Sequence, residues 1–399
     1  MNRNHLIHAV RQQLKRYPEP HDNHYGVVPL PPTEDIVPLK DSEAIHRQAL
    51  EAIGRANALA QASPDHFLLS RILVRQEAVM SSAIEGTHST LDALLESEAT
   101  DDPAGSPADP ADDSETQQVK SYALTLERRI VEVERNRYDA FHVGLIRDLQ
   151  REVVKDDKHY KYKPGEIRQH VVYIGGTHIS RSTYNPSPPA DIHKALIDHV
   201  AYLRCDGLQQ MHQSIITRMA VAHAHFEAIH PFPDGNGRVG RLLLPLMMAA
   251  DGHTPLYLAP HIAARKAEYM NGLKEAQQRL NYDPLVDAFC HAIVASVEMA
   301  ETAQKDLSAL ERKWRATRKW RRNSGAERSL GVLATRPAIT RKLLANTLKI
   351  SEPSAGEAIG QLTDAGVLKE RTGYKRNRIF VAPEVLKIFN RSPQSEIGH

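Results

Sequence analysis

Apolar residues recur every three or four positions over long stretches of this chain, which is the spacing of an amphipathic helix. One stretch is "EAIHRQALEAIGRANALA", which Pro64 interrupts, and a second is "HFLLSRILVRQEAVMSSAIEG", which ends at Gly86. Glycine readily adopts the conformation that closes a helix, so Gly86 is a predicted helix stop. The pattern restarts in "THSTLDALL" and continues over residues 119–154 and 190–310. It predicts a mainly α-helical fold.

Three stretches depart from the helical pattern. Residues 29–38, "PLPPTEDIVP", predict an extended arm, because proline fixes φ and removes a backbone donor. Residues 96–116 contain eight acidic residues and no basic one, interspersed with Pro and Gly, which indicates a linker. Residues 163–189 have Gly and Pro at both ends and a β-branched centre, and they predict a short hairpin.

The last part of the chain has a different element order. After the basic connector "ERKWRATRKWRR", a short helix over residues 340–348 and a tight turn lead to a second helix, which carries Ile359 and Leu362 on one face. A strand, a turn at Gly373 and a second strand follow, which is the winged-helix order. The predicted domains are an N-terminal arm (1–40), an N-terminal helical region (41–117), a catalytic core (118–310), a basic connector (311–325) and a winged-helix domain (326–390).

Composition sets the broad class. Apolar content of 41% and charged content of 25% are ordinary for a soluble globular protein. No stretch approaches the apolar length of a membrane span, so we expect no membrane partner. Cys205 and Cys290 are far apart and give neither a disulfide framework nor a Cys-rich zinc site. We therefore expect a reducing, cytoplasmic setting.

The net charge of +2 hides an asymmetry between the two ends of the chain. Residues 301–399 contain 20 Lys and Arg against 10 Asp and Glu, which leaves 31 against 39 for the rest. A basic tail indicates either a polyanionic partner or a solvated basic face. The candidate recognition helix over residues 353–365 has no basic residue, whereas the segment "KERTGYKRNR" is strongly basic. DNA and protein both stay open as partners of this domain.

The segment "EAIHPFPDGNGRVGRLLLPLMM" concentrates chemistry that suits an anion. A Gly-Asn-Gly turn opens a helix, and a helix N-terminus presents unpaired N–H groups to a phosphate. Arg238 and Arg241 are three residues apart and can each contact a phosphate. Asp234 is suited to Mg²⁺, and His230 can take up a proton near neutral pH. The set predicts phosphoryl or nucleotidyl transfer.

Two other interpretations of this segment exist. A glycine turn, a histidine at a helix end and an arginine pair can each be purely structural. A metal-dependent hydrolase could use His223, Glu227 and His230, which lie on one helix face. That reading gives no role to the glycines and arginines, so we rank it second. A Walker P-loop is excluded, since the chain contains no Gly-Lys pair.

Residues 230–241, "HPFPDGNGRVGR", match the Fic family signature H-P-F-x-[DE]-G-N-G-R-x-x-R at every fixed position. "SSAIEG" resembles the inhibitory motif [ST]-x-x-x-E-[GN] of that family. "PGEIRQHVVYIGG" resembles its flap hairpin, and "YNPSPP" the proline-rich exit from it. The resemblance covers most of residues 29–290 and implies a Fic-type helical bundle with a short flap.

The resemblance implies a protein adenylyltransferase that moves AMP from ATP to a Ser, Thr or Tyr hydroxyl of a target protein. His230 would be the catalytic base and Asp234 would bind Mg²⁺. Arg238 would assist the amides that hold the α- and β-phosphates, and Arg241 would hold the γ-phosphate. The implied nucleotide-binding stretch is Asp234, Gly235, Asn236, Gly237, Arg238, Val239, Gly240 and Arg241.

The flap and two later residues are implied to surround the adenine. The flap residues are Val172, Tyr173, Ile174 and Gly175, and the later ones are Tyr257 and Arg265. Position 265 is usually Asn in the family, so this chain departs from the pattern there. Residues 171–174 are also an extended stretch that can pair with a target segment as an added strand.

The resemblance also makes Ser81, Glu85 and Gly86 regulatory. Glu85 would pair with Arg241 and so remove Arg241 from the γ-phosphate. The alternative is that Glu85 is an ordinary surface glutamate that precedes the helix stop at Gly86. Some relatives use this glutamate to remove AMP, and the sequence leaves that open. Self-modification and a homodimer are further expectations. The alternative from another class is a DNA-binding regulator whose Fic-like body senses a nucleotide.

Overall fold

The computed structural model of the protein describes residues 1–62, 66–100, 114–373 and 378–390. Pro64, most of the predicted acidic linker and four residues of "KERTGYKRNR" lie outside the described residues. The α-helices are α1 (His8–Arg11), α2 (Glu43–Ala62), α3 (His66–Ile84), α4 (Leu91–Thr100), α5 (Ser114–Asn136), α6 (Val143–Val154), α7 (Ile192–Leu203), α8 (Gln209–His212), α9 (Ile215–Ile229), α10 (Asn236–Asp251), α11 (Ala259–Ala264), α12 (Lys266–Arg279), α13 (Asp283–Thr317), α14 (Gly325–Leu333), α15 (Arg341–Leu348), α16 (Glu352–Asp364) and α17 (Pro383–Phe389). The strands are β1 (Leu14–Arg16), β2 (Tyr25–Val27), β3 (Ala338–Ile339), β4 (Lys369–Glu370) and β5 (Phe380–Val381).

Helices α9 and α10 form the centre of the molecule. Every residue of α9 is buried, and α10 is buried over nearly all of its length. A helix that is covered on all sides must be surrounded by other elements, and α5, α6 and α12 pack against this pair. The prediction of a mainly α-helical protein is confirmed. Among the described residues, no helix combines the length and the apolar character that crossing a lipid bilayer requires.

Two predicted elements differ from the structure. The helical run over residues 119–154 is two helices, α5 and α6, because the chain turns between them at Arg137, which has a φ of 54°. Residues 29–38 are irregular as predicted, but the rest of the predicted arm includes α1 and the antiparallel pair β1–β2. Strands of three residues are too short to give a readable alternation of apolar and polar positions.

The predicted flap hairpin is reduced to one antiparallel bridge between Ile174 and Tyr184. The Ile174 N–H donates to the Tyr184 carbonyl at 2.9 Å, and the Ile174 carbonyl accepts from the Thr183 N–H at 2.8 Å. Gly175 and Gly176 follow with φ values of 68° and 83°, which a glycine adopts without strain. The prolines in "YNPSPP" cannot donate to a ladder, so the pairing stops at Tyr184.

The C-terminal elements pack against the body of the protein. Strand β5 lies between β3 and β4 in an antiparallel sheet, and Ile359 and Leu362 of α16 are buried, as the sequence predicted. The elements predicted for a winged helix are present in order, and the domain assignment itself stays a prediction. Gln76 of α3 donates to the Phe389 carbonyl at 2.5 Å, and α13 extends into the predicted connector.

A buried ion cluster fixes α3 in place. The Arg75 side chain is fully buried and pairs with Glu98 of α4 at 2.8 Å and with Glu127 of α5. Burial is the largest influence on the Glu98 carboxyl and acts to raise its pKa, but Arg75 and Arg71 together outweigh it, so the pKa is lowered. The ion pairs of Arg75 therefore link α3 to both α4 and α5.

We expect Arg75→Met to lower the free energy of unfolding by about 3–5 kcal/mol, because it leaves a nearly buried Glu98 without its main counter-charge. Urea unfolding followed by circular dichroism measures the change. Arg55→Met is the matched control, since it removes an exposed pair with Glu301 and should cost less than about 1 kcal/mol. Equal losses from both variants would contradict the assigned role of the cluster.

Candidate active site

The site is built at the turn between α9 and α10. Helix α9 must end at its last residue because Pro231 follows His230, and His230 closes the helix with φ 49° and ψ 63°. Its N–H donates to the Phe226 carbonyl at 2.9 Å. Gly235 then turns the chain with a φ of 84° and leads into α10. His230 therefore lies in the turn that joins two buried helices, α9 and α10.

The first amides of α10 are open toward this turn. Gly235 precedes the helix and no side chain caps the helix start. The Asn236 side chain instead holds the loop, since its Oδ1 accepts from the Phe232 N–H and its Nδ2 donates to the Phe232 carbonyl, both at 2.9 Å. The Asn236 side chain is therefore engaged within the loop itself. An uncapped helix start is an anion site.

The two arginines diverge, although they are only three residues apart on α10. Arg238 donates to Gln118 Oε1 and to the Val153 carbonyl, both at 3.1 Å, and is buried. Arg241 points to α3 instead. The side chains diverge because α10 is packed among other helices. Helices α5 and α6 supply the acceptors for Arg238, and the end of α3 supplies those for Arg241.

Val239 and Gly240 also differ from their predicted nucleotide-binding role. Val239 is fully buried in the core, and Gly240 lies against the side chains of Glu227 and His223. A Cβ at position 240 would lie 2.7 Å from Glu227 Oε1. These two residues pack α10 against α9 and do not face the open amides.

Arg241 and Glu85 form the pair that the sequence predicted. Arg241 Nη2 lies 2.8 Å from Glu85 Oε1 and 2.9 Å from the Ser81 carbonyl, and its Nε lies 2.8 Å from Ser81 Oγ. Burial acts most strongly and would lower the pKa of Arg241, but Glu85 and its other neighbours hold that pKa above its ordinary value. Gly237 admits the glutamate, since a Cβ there would lie 2.1 Å from Glu85 Oε1.

Helix α3 ends where the sequence predicted a stop. Gly86 follows Glu85 with a φ of 92°, and the side chain of Lys266 closes the helix by donating to the Ile84 carbonyl at 2.7 Å. This contact from Lys266 was not predicted. The only sign of it in the sequence is the presence of a basic residue at the start of α12. Its neighbour Arg265 pairs with Glu268 at 2.5 Å. Arg265 therefore lies near the end of α3.

Asp234 is the exposed acid of the turn. Its Oδ1 accepts from the Gly235 N–H at 2.6 Å, and Gln150 donates to its carbonyl at 3.1 Å. The contact from Gln150 could not be predicted from the residues around Asp234, because Gln150 lies on a different helix, α6. One exposed carboxylate beside open amides fits a Mg²⁺ ion that would take its other ligands from phosphate and water.

The residues expected around adenine are not brought together. Val172, Tyr173 and Gly175 are on the surface of the flap, whereas Tyr257 is buried. Tyr257 lines a cavity of about 550 Å³ beyond the C-terminal end of α10, and none of the described residues that line it belongs to residues 230–241. A helix of this length separates the two places by about 24 Å, so Tyr257 does not share a pocket with the signature.

The metal-hydrolase interpretation finds no support in the described residues. His223 Nε2 lies 2.7 Å from the Tyr269 hydroxyl, and burial lowers the pKa of His223 to about 4. Glu227 Oε2 lies 3.5 Å from His230 Nδ1. Within the described ranges, no group of three or more His, Cys, Asp or Glu residues is arranged to hold a metal. His225 points away and stacks on His199.

Comparisons with known proteins agree with this architecture. Residues 140–248 match the model of the Fic/DOC family, and residues 45–128 match that of the Fic/DOC family N-terminal region. A fragment of Fic-1 from Caenorhabditis elegans superposes with a TM-score of 0.51 at 26% identity, covering 66% of this chain and 73% of that one. A Fic family protein from Desulfovibrio desulfuricans does so with a TM-score of 0.51 at 18% identity, covering 89% and 98%.

Curated relatives also match part of this chain. The protein adenylyltransferase fic-1 of Caenorhabditis briggsae is 36% identical over 112 residues, which is 28% of this chain and 20% of that protein. A probable protein adenylyltransferase of Aquifex aeolicus is 33% identical over 96 residues, or 24% and 27%. The match spans about a fifth to a quarter of the length of these relatives. Over residues 45–128 and 140–248 this chain is therefore similar to the Fic/DOC family, and the predicted Fic-type bundle is confirmed.

We expect Gly240→Ala to lower the free energy of unfolding by about 1–3 kcal/mol, because the new methyl group meets two buried side chains that have no room to move. Gly54→Ala in α2 is the matched control. A Cβ there meets nothing within 4 Å, so the better helix propensity of alanine should stabilise the protein by up to about 1 kcal/mol. Urea unfolding compares the two. A Gly240→Ala protein as stable as the wild type would show that Glu227 is not tightly packed.

Proposed function

We propose that this chain is a protein adenylyltransferase that transfers AMP from ATP to a hydroxyl side chain of a target protein. The observation that carries the proposal is the position of His230 beside the uncapped start of α10. A base and an anion site at the same turn suit the attack of a hydroxyl on a phosphate. The two curated relatives are named as a protein adenylyltransferase and a probable protein adenylyltransferase.

The chemistry balances with His230 as the base. The target hydroxyl oxygen forms a bond to the α-phosphorus of ATP, and the bond from that phosphorus to the oxygen that bridges to the β-phosphorus breaks. Pyrophosphate leaves, and the hydroxyl proton passes to His230. The amides of Asn236, Gly237 and Arg238 would hold the phosphates. Mg²⁺ at Asp234 would neutralise polyphosphate charge when it is bound.

The flap suits the target side of the reaction. Its bridge at Ile174 leaves the preceding residues extended, and Tyr173 is 41% exposed. An extended target segment could pair along residues 171–174 as an added strand and bring its hydroxyl toward His230. Self-modification would use the same route with a segment of this chain.

Glu85 would act as a brake on this activity. Its carboxylate occupies the guanidinium of Arg241, which the γ-phosphate of ATP would otherwise bind. The Arg241 side chain is 2% exposed, whereas the Glu85 side chain is 41% exposed. The glutamate can therefore move away while the arginine stays buried. Removal of AMP from a target with the help of this glutamate would be a second reaction at the same site, in which a water oxygen bonds to the phosphorus, the bond from phosphorus to the target oxygen breaks, and that oxygen regains its proton.

We expect Glu85→Gly to raise labelling by α-³²P-ATP and Mg²⁺ on the order of tenfold or more, because the freed guanidinium can make a bidentate contact to phosphate. Labelling is measured on the protein itself and in a lysate. Glu51→Gly, in an exposed part of α2, is the matched control and should leave labelling unchanged. Adding His230→Ala to Glu85→Gly should abolish the label.

Each other outcome of this assay has a distinct meaning. Equal labelling of wild type and Glu85→Gly would reject the brake. Label that persists without His230 would reject its role as the base. ATP binding without any covalent label would favour the alternative, a DNA-binding regulator that only senses the nucleotide.

The C-terminal elements favour weak DNA binding at most. Helix α16 exposes Glu352, Glu357 and Asp364, and it has no basic residue. Arg371 after β4 is engaged by acids of α4, since it lies 3.5 Å from Asp92 and 3.1 Å from Glu96. A phosphate backbone would have to compete with these carboxylates for the basic segment.

We expect the full-length protein to bind random duplex DNA only at low salt, and the double variant Asp92→Asn/Glu96→Gln to bind it more tightly because Arg371 is released. An electrophoretic mobility shift at several salt concentrations measures both. No shift by either protein at low salt would remove DNA as a partner and favour protein docking.

A further inference from the structure

Arg168 is a buried cation that has no assigned role. Its side chain is 2% exposed, and all four of its hydrogen bonds in the described part of the chain go to backbone carbonyls. Its Nε donates to the His230 carbonyl at 2.7 Å, and one Nη donates to the His170 carbonyl at 2.9 Å. The other Nη donates to the carbonyls of Ser187 at 2.7 Å and Ile229 at 3.3 Å.

The carbonyls at the end of α9 explain how this charge is tolerated. Ile229 is the last residue of α9 and His230 caps it, at the end where the helix dipole is negative and the carbonyls have no partner within the helix. Burial lowers the pKa of Arg168 to about 10, with Tyr17 acting in the opposite direction, so the guanidinium stays charged at neutral pH. The cation and the helix end therefore satisfy each other.

His230 depends on its backbone for its orientation. Its Nδ1 has no hydrogen-bond partner among the described residues, and the nearest carboxylate oxygen, of Glu227, is 3.5 Å away. Its backbone has a positive φ, which a residue with a Cβ adopts at some cost. The bond from Arg168 to the His230 carbonyl and the bond from the Arg168 N–H to the Pro231 carbonyl, at 3.0 Å, hold that conformation.

The same guanidinium connects the flap to the base. His170 directly precedes residues 171–174 of the flap, and Ser187 lies in the proline-rich exit from it. A shift of the flap therefore moves the acceptors of the side chain that holds His230. We propose that Arg168 is a positioning residue that fixes His230 relative to the flap, so that a target segment docked on the flap is in register with the base. The inference rests on the proposed function.

The test uses the full chain with Glu85→Gly, so that transfer is measurable. We compare Arg168→Lys and Arg168→Met with the matched control Arg181→Met, which alters an exposed arginine of the same flap. Lysine has three donors on a flexible stem and cannot reproduce the planar contacts of arginine. We expect the maximal rate of AMP transfer to fall about 10-fold in Arg168→Lys and about 100-fold in Arg168→Met, since small misplacements of reacting groups have effects of this size.

Binding of α,β-methylene-ATP separates positioning from general damage. We expect its dissociation constant to stay within about threefold in Arg168→Lys, because the open amides and Arg241 are held by other contacts. Adding guanidinium at a low, non-denaturing concentration to Arg168→Ala should restore part of the rate, and sodium chloride at the same ionic strength should not. A maximal rate that equals the control, or a rate and an affinity that fall in parallel, would overturn the inference.

A failure of the proposed function gives a different pattern. If Glu85→Gly itself transfers no AMP, the adenylyltransferase proposal fails, and hydrogen exchange then decides on Arg168. Amide exchange over residues 226–234 should become faster in Arg168→Lys and stay unchanged in Arg181→Met. If Arg168→Met does not fold, Arg168→Lys carries the same comparison. Unchanged exchange in Arg168→Lys would refute the positioning role.

Discussion

The buried guanidinium of Arg241 sets the arrangement of the site. A cation that is almost completely removed from water needs polar partners on every donor, and α10 cannot supply them from within its own first turns. Ser81 and Glu85 supply them, so the end of α3 must lie against the start of α10. Gly237 leaves the space that this contact requires, and the Arg75 cluster holds the other part of α3. Helices α3 and α10 are therefore joined at Arg241.

The turn between α9 and α10 is also held by a small number of hydrogen bonds. One histidine ends a helix, and the next helix begins six residues later with open amides. Arg168, Asn236 and Gln150 hold this turn from three directions through backbone atoms. Because the contacts are to the backbone, the side chain of His230 and the carboxylate of Asp234 stay available for chemistry. A rigid turn with free side chains is what a transfer reaction between two bound molecules requires.

Much of the fold and of the site could be predicted from the sequence. Long stretches with helical spacing identified most of the helices, and a twelve-residue signature identified the turn and supplied the predicted base and the predicted metal ligand. The pair between Glu85 and Arg241 was also predicted, since the family pattern links two segments far apart in the chain. Short elements were missed, because three residues of β1 or a single bridge in the flap carry too little pattern to detect.

The sequence by itself determined which residue types meet at the turn and where α3 and α9 end, because helix spacing, proline and glycine act over a few neighbouring residues. Only the tertiary structure decided where each side chain points. It turned Arg238 toward α5 and α6, occupied the side chain of Asn236, moved Tyr257 to the far end of α10 and brought Arg168 and Lys266 to the ends of α9 and α3. These outcomes depend on which carbonyls and carboxylates lack partners after packing, and that is a property of the whole fold.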